Sequence, residues 1–206
     1  AHTMGLMMIG YVTGDQTLVQ YAVDSPSNPR DFVELIEGCI LMEGEEDYYY
    51  GNYPPDQFPP SSGEIIDRYR HQQVTDGEWT PHGLSYASLT QNLLTLTAEM
   101  CYINDLDFYS YTAPGGENLE LTFEYYAPYY TQQDACIKKS FYCGETLSRT
   151  SEGIYELANK RYPNNDQILK YLNSVGRSHL RTDYLGTPVL THGDSTGQRP
   201  EAVYNH

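Results

Sequence analysis

Leu84-Ser85-Tyr86-Ala87-Ser88-Leu89-Thr90-Gln91-Asn92-Leu93-Leu94-Thr95-Leu96-Thr97-Ala98-Glu99-Met100-Cys101-Tyr102 runs without a Gly or a Pro. Leu89, Leu93, Leu96 and Met100 recur at the spacing of one helix face, so residues 84–102 read as a buried α-helix. Asn104-Asp105 turns the chain after it, Phe108 to Tyr111 is short, and Pro114-Gly115-Gly116 is a further turn. Residues 118–130 form the next helix, with Leu119, Leu121, Phe123, Tyr126 and Ala127 available for packing. Residues 151–161 are helical through Ile154, Leu157 and Ala158 until Pro163-Asn164-Asn165 stops them, and Asp166 is placed to cap a last helix through Ile168, Leu169, Tyr171, Leu172 and Val175.

Working toward the N-terminus, residues 43–79 carry Tyr48-Tyr49-Tyr50, Pro54-Pro55 and Pro59-Pro60 among many polar residues. They read as a long exposed loop, and a loop of that length in a compact domain is usually functional. Residues 31–42 are amphipathic, with Phe32, Leu35, Ile36, Cys39 and Ile40 on one face; residues 16–23 and 3–12 are two more helices, separated at Gly14-Asp15. Clean period-two alternation is scarce. The fold class expected is all-α: antiparallel helical hairpins over residues 1–193, followed by a Gly-, Ser- and Pro-bearing tail over residues 194–206.

Across 206 residues, 39% hydrophobic, 12 Lys and Arg stand against 28 Asp and Glu, a formal net charge of -16. That charge repels phosphate backbones and anionic lipid, so nucleic acid and membrane surfaces are excluded as partners. An acidic polymer would need a local cationic cluster. The 21 Tyr against 5 Phe and 1 Trp are the outlier. A tyrosine gives a sugar ring a flat apolar face and a hydroxyl at its rim, although most of them are expected in the core. No run of about 18 apolar residues is present to span a bilayer. The apolar start lacks a basic segment and a cleavage site, and Ala1-His2-Thr3-Met4 reads as a tag remnant or as the middle of a longer protein.

The four cysteines have no metal-like spacing. Cys136 and Cys143 bracket a short polar segment and are expected to form a disulfide, with Cys39 and Cys101 as the residual pairing. Together with the acidic composition, this points to a secreted or extracellular setting. Glu43, Glu45, Glu46 and Asp47 lack the alternating spacing of a calcium loop and read as a solvated acidic run, so no metal and no cofactor is expected.

Ser85-Tyr86-Ala87-Ser88-Leu89, running on to Ala98-Glu99-Met100 and then Asp105-Leu106-Asp107-Phe108-Tyr109-Ser110-Tyr111, resembles the alginate-lyase-like polysaccharide lyases. The Gly of that family's turn is replaced here by Asn104 or Asp105. Thr3-Met4-Gly5-Leu6-Met7-Met8-Ile9-Gly10-Tyr11 resembles the helix after the family's Asn-His motif. Tyr155-Glu156-Leu157-Ala158, Arg161-Tyr162-Pro163-Asn164 and Gly186-Thr187-Pro188-Val189-Leu190-Thr191-His192-Gly193 resemble its C-terminal helices and closing motif. The resemblance implies the C-terminal portion of an (α/α) toroid whose N-terminal portion lies upstream of Ala1, completed by a second chain or by self-association. The Asn-His pair would precede this chain and is not carried onto His2. The implied activity is cleavage of a uronate polymer of the alginate or glucuronan type. Tyr86 matches the family's catalytic Tyr, and Arg68 or Arg70 takes the place of its Arg.

A uronate lyase must take the C5 proton of a sugar whose carboxylate resists further charge, so cationic or neutral donors have to hold that carboxylate. A Tyr can accept the C5 proton and return one to the leaving oxygen, provided a cation favours its phenolate against a free pKa of about 10. The densest cationic cluster is Arg68, Arg70, His71 and His82, beside Tyr69 and Tyr86. Tyr86 is the expected proton carrier, with Arg70 and His71 favouring its phenolate and the N-terminus of its helix adding positive potential. Arg68, Tyr69, Trp79 and His82 are the expected substrate contacts. The structural alternative pairs both arginines with Glu64, Asp67 or Asp76 and packs Tyr86 at a helix start. Two other functions stand beside the lyase: a toroid glycoside hydrolase using carboxylates among Glu64, Asp67, Asp76 and Glu78, and a non-catalytic polysaccharide-binding or cell-surface protein with tyrosines as stacking platforms. His179 and His192 are read as structural, with the edge of the cleft as the alternative place for His192.

Overall fold

The computed structural model describes residues 1–45, 59–75, 78–147 and 153–175. These fold mainly as helices: α1 (His2–Thr13), α2 (Gln16–Val23), α3 (Phe32–Cys39), α4 (Gly83–Tyr102), α5 (Leu119–Gln132), α6 (Ile154–Arg161) and α7 (Asp166–Ser174). Their ends follow local chemistry. Gly14 closes α1 in the left-handed region at φ 73°, and the Asp15 carboxylate accepts the Leu18 N–H to start α2. Asp31 caps α3 and Asn118 caps α5 in the same way. For α7 the cap is Asn165, whose Oδ1 accepts the N–H groups of Gln167 and Ile168; the expected cap, Asp166, is the helix's first residue.

Residues 43–79 are not one exposed loop. Within them, β2 (Glu64–Ile65) pairs antiparallel with β1 (Ile40–Leu41), and a 3-10 turn, Ile66–Tyr69, follows. Then β3 (His71–Thr75) and β4 (Glu78–Pro81) form a hairpin that leads into α4. The apolar Ile65 is fully buried, and its N–H donates to the Tyr126 hydroxyl at 2.9 Å, which ties the segment to α5. Pairing with α3's own continuation, Ile40–Leu41, is what pulls the expected loop inside.

α4 is central, but its buried face is not the expected leucine stripe. Leu96 is buried, whereas Leu93 and Met100 are half-buried and Leu89 is 38% exposed. The face that packs is Leu84, Ala87, Gln91, Leu94, Ala98 and Cys101, with Ser88, Asn92, Thr95 and Thr97 also buried. Three of these polar side chains avoid an unpaired burial cost by turning on their own helix: Asn92 donates to the Ser88 carbonyl, Thr95 to that of Gln91 and Thr97 to that of Leu93, while Gln91 donates across to Thr122 of α5 at 3.0 Å. One end of α4 joins a core around Met7, Phe32, Ile36 and Leu119; the other joins a tyrosine-rich core around Phe123, Tyr126, Tyr155 and Tyr171.

The second core encloses a buried ion pair. Glu64 and Arg68 contact each other with both side chains fully inaccessible. The Glu64 carboxylate also accepts from the Tyr125 hydroxyl (3.0 Å), the Tyr142 hydroxyl (3.1 Å) and the Ser61 N–H (3.1 Å), with Lys139 Nζ at 3.7 Å. Burial first, with the Glu64 charge adding to it, pushes the phenols of Tyr125, Tyr126 and Tyr142 well above the usual range, so they serve as fixed donors. The Cys136–Cys143 disulfide, with Cα atoms 4.7 Å apart, closes the loop that carries Lys138, Lys139 and Tyr142. Cys39 and Cys101 are free thiols, so the residual pairing does not form. Burial pushes their thiols up to about 11 and about 12.

Because a buried charge is costly once its partner is gone, Arg68→Met should lose roughly 3–5 kcal/mol in urea denaturation. The double variant Glu64→Gln with Arg68→Met should recover a substantial part of it; a loss for the single variant no larger than for the double one would show that the pair is not coupled.

Lys138 gives a pH test. The residue is exposed, but its ammonium lies 4.1 Å from the centre of the Tyr125 ring and donates to the Tyr125 carbonyl at 2.7 Å. Desolvation outweighs the attraction of Glu64 and lowers its pKa to about 8. Folding therefore penalises the charged amine; that cost is full below pH 8 and fades as pH rises from about 8 to 10.5. Amine-directed acylation followed by peptide mass mapping should show Lys138 reacting with a midpoint near pH 8, and a midpoint near 10.5 would contradict the burial of its ammonium.

Candidate functional site

Two places on the described surface gather chemistry, one at each end of α4. At the N-terminal end, the β3–β4 hairpin closes with His71 opposite Pro81, and the His82 N–H donates to the Arg70 carbonyl at 2.8 Å. That closure sets Arg70 beside the first turn of α4. Its guanidinium carbon lies 5.3 Å from the centre of the Tyr86 ring, and Tyr86 is 41% exposed. Arg70 Nε also donates to Asp67 Oδ1 at 3.0 Å, and Thr90 donates to the other Asp67 oxygen at 2.7 Å. The guanidinium remains largely in solvent, its side chain 60% exposed.

Other expected members of the site stand elsewhere. Arg68 is 1% exposed and points into the second core, against Glu64 and the ring of Phe141 at 5.4 Å. Both arginines thus have the acidic partners weighed as the structural alternative, Arg68 in the interior and Arg70 at the surface. His82 is half-buried and precedes α4 without capping it. The side chains of Tyr69, His71 and Trp79 lie outside the described residues, as do Asp76 and His179, His192 and the tail. The positive potential expected at the start of α4 meets a carboxylate: Glu145 accepts the N–H groups of Leu84 (2.9 Å) and Ser85 (3.1 Å). Burial raises the Glu145 pKa, while those amides and the charge of His82 oppose the rise.

At the C-terminal end of α4 lies a pocket of about 420 Å³ that no motif reading located. Tyr102, Tyr109, Tyr111 and Tyr162 line it with Arg161 and Asp107. Its frame is fixed by Glu99, which receives Arg161 through two bonds (2.6 and 3.2 Å) and the Tyr109 hydroxyl at 3.0 Å. The Arg161 guanidinium carbon in turn lies over Tyr102, 3.5 Å from its ring centre. The Tyr162 hydroxyl donates to the Tyr109 carbonyl at 2.9 Å, and the Tyr109 and Tyr162 rings meet edge to face. Burial raises the phenol pKa values of Tyr109 and Tyr162, with carboxylates nearby acting in the same sense, so neither is placed to be a base. Desolvation works against the Arg161 charge, but the bonds and charge of Glu99 hold its pKa above the ordinary value. The sequence signal was present in Asp107-Phe108-Tyr109-Ser110-Tyr111 and Arg161-Tyr162, but chain separation hid that α4 brings them together.

Among the described residues, no three His, Cys, Asp or Glu side chains are grouped to hold a metal, and no helix is long and apolar enough to cross a membrane. Compared with protein-family models, curated proteins and solved structures, the chain finds no match.

Proposed function

We propose that the chain cleaves a uronate-containing polysaccharide of the alginate or glucuronan type by β-elimination, its helical hairpins forming part of an (α/α) toroid. The observation that carries this reading is the pairing of an exposed tyrosine with an exposed arginine: Tyr86 beneath the Arg70 guanidinium at 5.3 Å. Arg70 holds the substrate carboxylate and stabilises the charge that builds on it when the C5–H bond breaks. Tyr86 oxygen accepts the C5 proton, the C4–O bond breaks as the C4–C5 double bond forms, and a proton returns to the leaving oxygen. The resemblance of residues 85–111 to polysaccharide lyases supports the same assignment. An extracellular setting is supported by the Cys136–Cys143 disulfide.

A second reading, non-catalytic polysaccharide binding, is favoured by the tyrosine-lined pocket at the other end of α4. A hydrolase using Glu64 is the weaker alternative, since that carboxylate is buried and committed to Arg68 and two tyrosines.

Incubation with polymannuronate, polyguluronate and polyglucuronate, followed by ultraviolet absorbance of the unsaturated product, tests the lyase directly. Tyr86→Phe should lower turnover at least about a hundredfold while polymer binding in a co-sedimentation assay persists. Full elimination by that variant would remove Tyr86 from the mechanism. Co-sedimentation with a neutral polysaccharide but with none of the three uronates, and no unsaturated product, would select the second reading.

A further inference from the structure

We infer that the pocket at the C-terminal end of α4 is a saccharide subsite for a neutral pyranose unit, separate from the Tyr86 face. Tyr86 and Tyr102 are sixteen residues apart on one helix, roughly 24 Å at about 1.5 Å per residue. A ligand in the pocket therefore does not contact Arg70.

Three features identify the occupant. First, the pocket combines aromatic faces with carboxylates that retain acceptor capacity. Asp107 Oδ1 accepts the N–H groups of Tyr109 (3.0 Å) and Ser110 (3.3 Å), and Glu120 Oε1 accepts Asn165 (2.9 Å). Among the described residues, the second oxygen of each carboxylate has no protein donor. Ring face plus paired acceptors matches the apolar CH face and adjacent hydroxyls of a sugar.

Second, the charge balance rejects an acid. Arg161 is neutralised by its two bonds to Glu99, which leaves Lys160 alone against Asp107 and Glu120. A uronate carboxylate entering this lining meets net negative charge in a chain of formal charge -16. Third, Arg161 already occupies a face of Tyr102 at 3.5 Å, so the rings are not an open cage for an organic cation. The volume of about 420 Å³ suits a small ligand, and the hydrogen bonds of Glu99, Tyr109 and Tyr162 hold the walls in place before anything binds.

The test uses the full chain and ligand-detected saturation-transfer NMR with neutral oligomers of glucose, mannose, galactose and xylose, a uronate oligomer and tetramethylammonium. In the Arg70→Ala variant, which removes the cation that would hold a uronate at the Tyr86 face, at least one neutral oligomer should bind more tightly than the uronate and the cation. Tyr102→Ala, a half-exposed position, should weaken that binding tenfold or more; Glu120→Gln, which keeps the Asn165 acceptor, should weaken it and narrow the preference over uronate. Thermal melts of each variant report folding separately. The inference is overturned if no neutral oligomer binds, if binding survives both substitutions, or if uronate or tetramethylammonium is preferred. Loss of elimination activity alone would bear on the Tyr86 reading and leave this one untouched.

Discussion

A single buried carboxylate constrains much of this molecule. Glu64 stands on β2 with no exposure, and its neighbours come from separate parts of the chain: Arg68 from the 3-10 turn, Tyr125 from α5, Tyr142 and Lys139 from the disulfide loop. An ion taken out of water costs several kcal/mol unless its charge and lone pairs are met, so these segments have to converge or the fold loses the site altogether. The convergence also sets backbone approach. Gly63, at φ 85°, sits where a Cβ would fall 2.1 Å from the Leu121 carbonyl oxygen, and at Gly83 a Cβ would fall 2.0 Å from that of Arg68. No side chain fits at either position without moving an element that Glu64 holds.

The tyrosines packed around Glu64 follow from the same constraint. A core built around a carboxylate needs donors that are otherwise apolar, and phenol supplies one donor on a large hydrophobic ring. Tyr125, Tyr126, Tyr129 and Tyr142 stack on one another at ring separations of 4.8 to 6.2 Å while two of them point hydroxyls at Glu64. The cluster around Glu99 repeats the scheme at lower burial, with Arg161 and Tyr109 as its donors. There the rings reach the surface, and a packing device becomes the wall of a pocket.

Helix positions were legible because caps and breakers are local: Gly14, Asp15, Asp31 and Asn118 act within a few residues of themselves. The cysteine loop was legible for the same reason. The buried face of α4 was not, because it uses Gln91, Asn92, Thr95 and Thr97, which a hydrophobic pattern assigns to solvent. Nor was the interior path of residues 64–69, since its burial depends on Tyr125 and Tyr126 some sixty residues away. Of the expected catalytic group, the structure brings Arg70 to Tyr86 through the β-hairpin closure, a contact that spacing alone does not specify.

What distinguishes the two ends of α4 is how each treats its cation. Arg161 is locked by two bonds to Glu99 and spends its charge internally, so its guanidinium shapes a wall and leaves little field for an incoming acid. Arg70 makes one bond to Asp67 and stays largely in water. A guanidinium has donors on two edges, so a substrate carboxylate can take the outer edge while Asp67 keeps the inner one. The Asp67 bond, braced by Thr90, then fixes the direction in which Arg70 presents that edge above Tyr86. Glu145 at the helix start opposes negative charge on the Tyr86 oxygen, which leaves Arg70 as the described group able to favour it. Under the two proposals, acid recognition falls to the Arg70 end and neutral recognition to the pocket framed by Arg161.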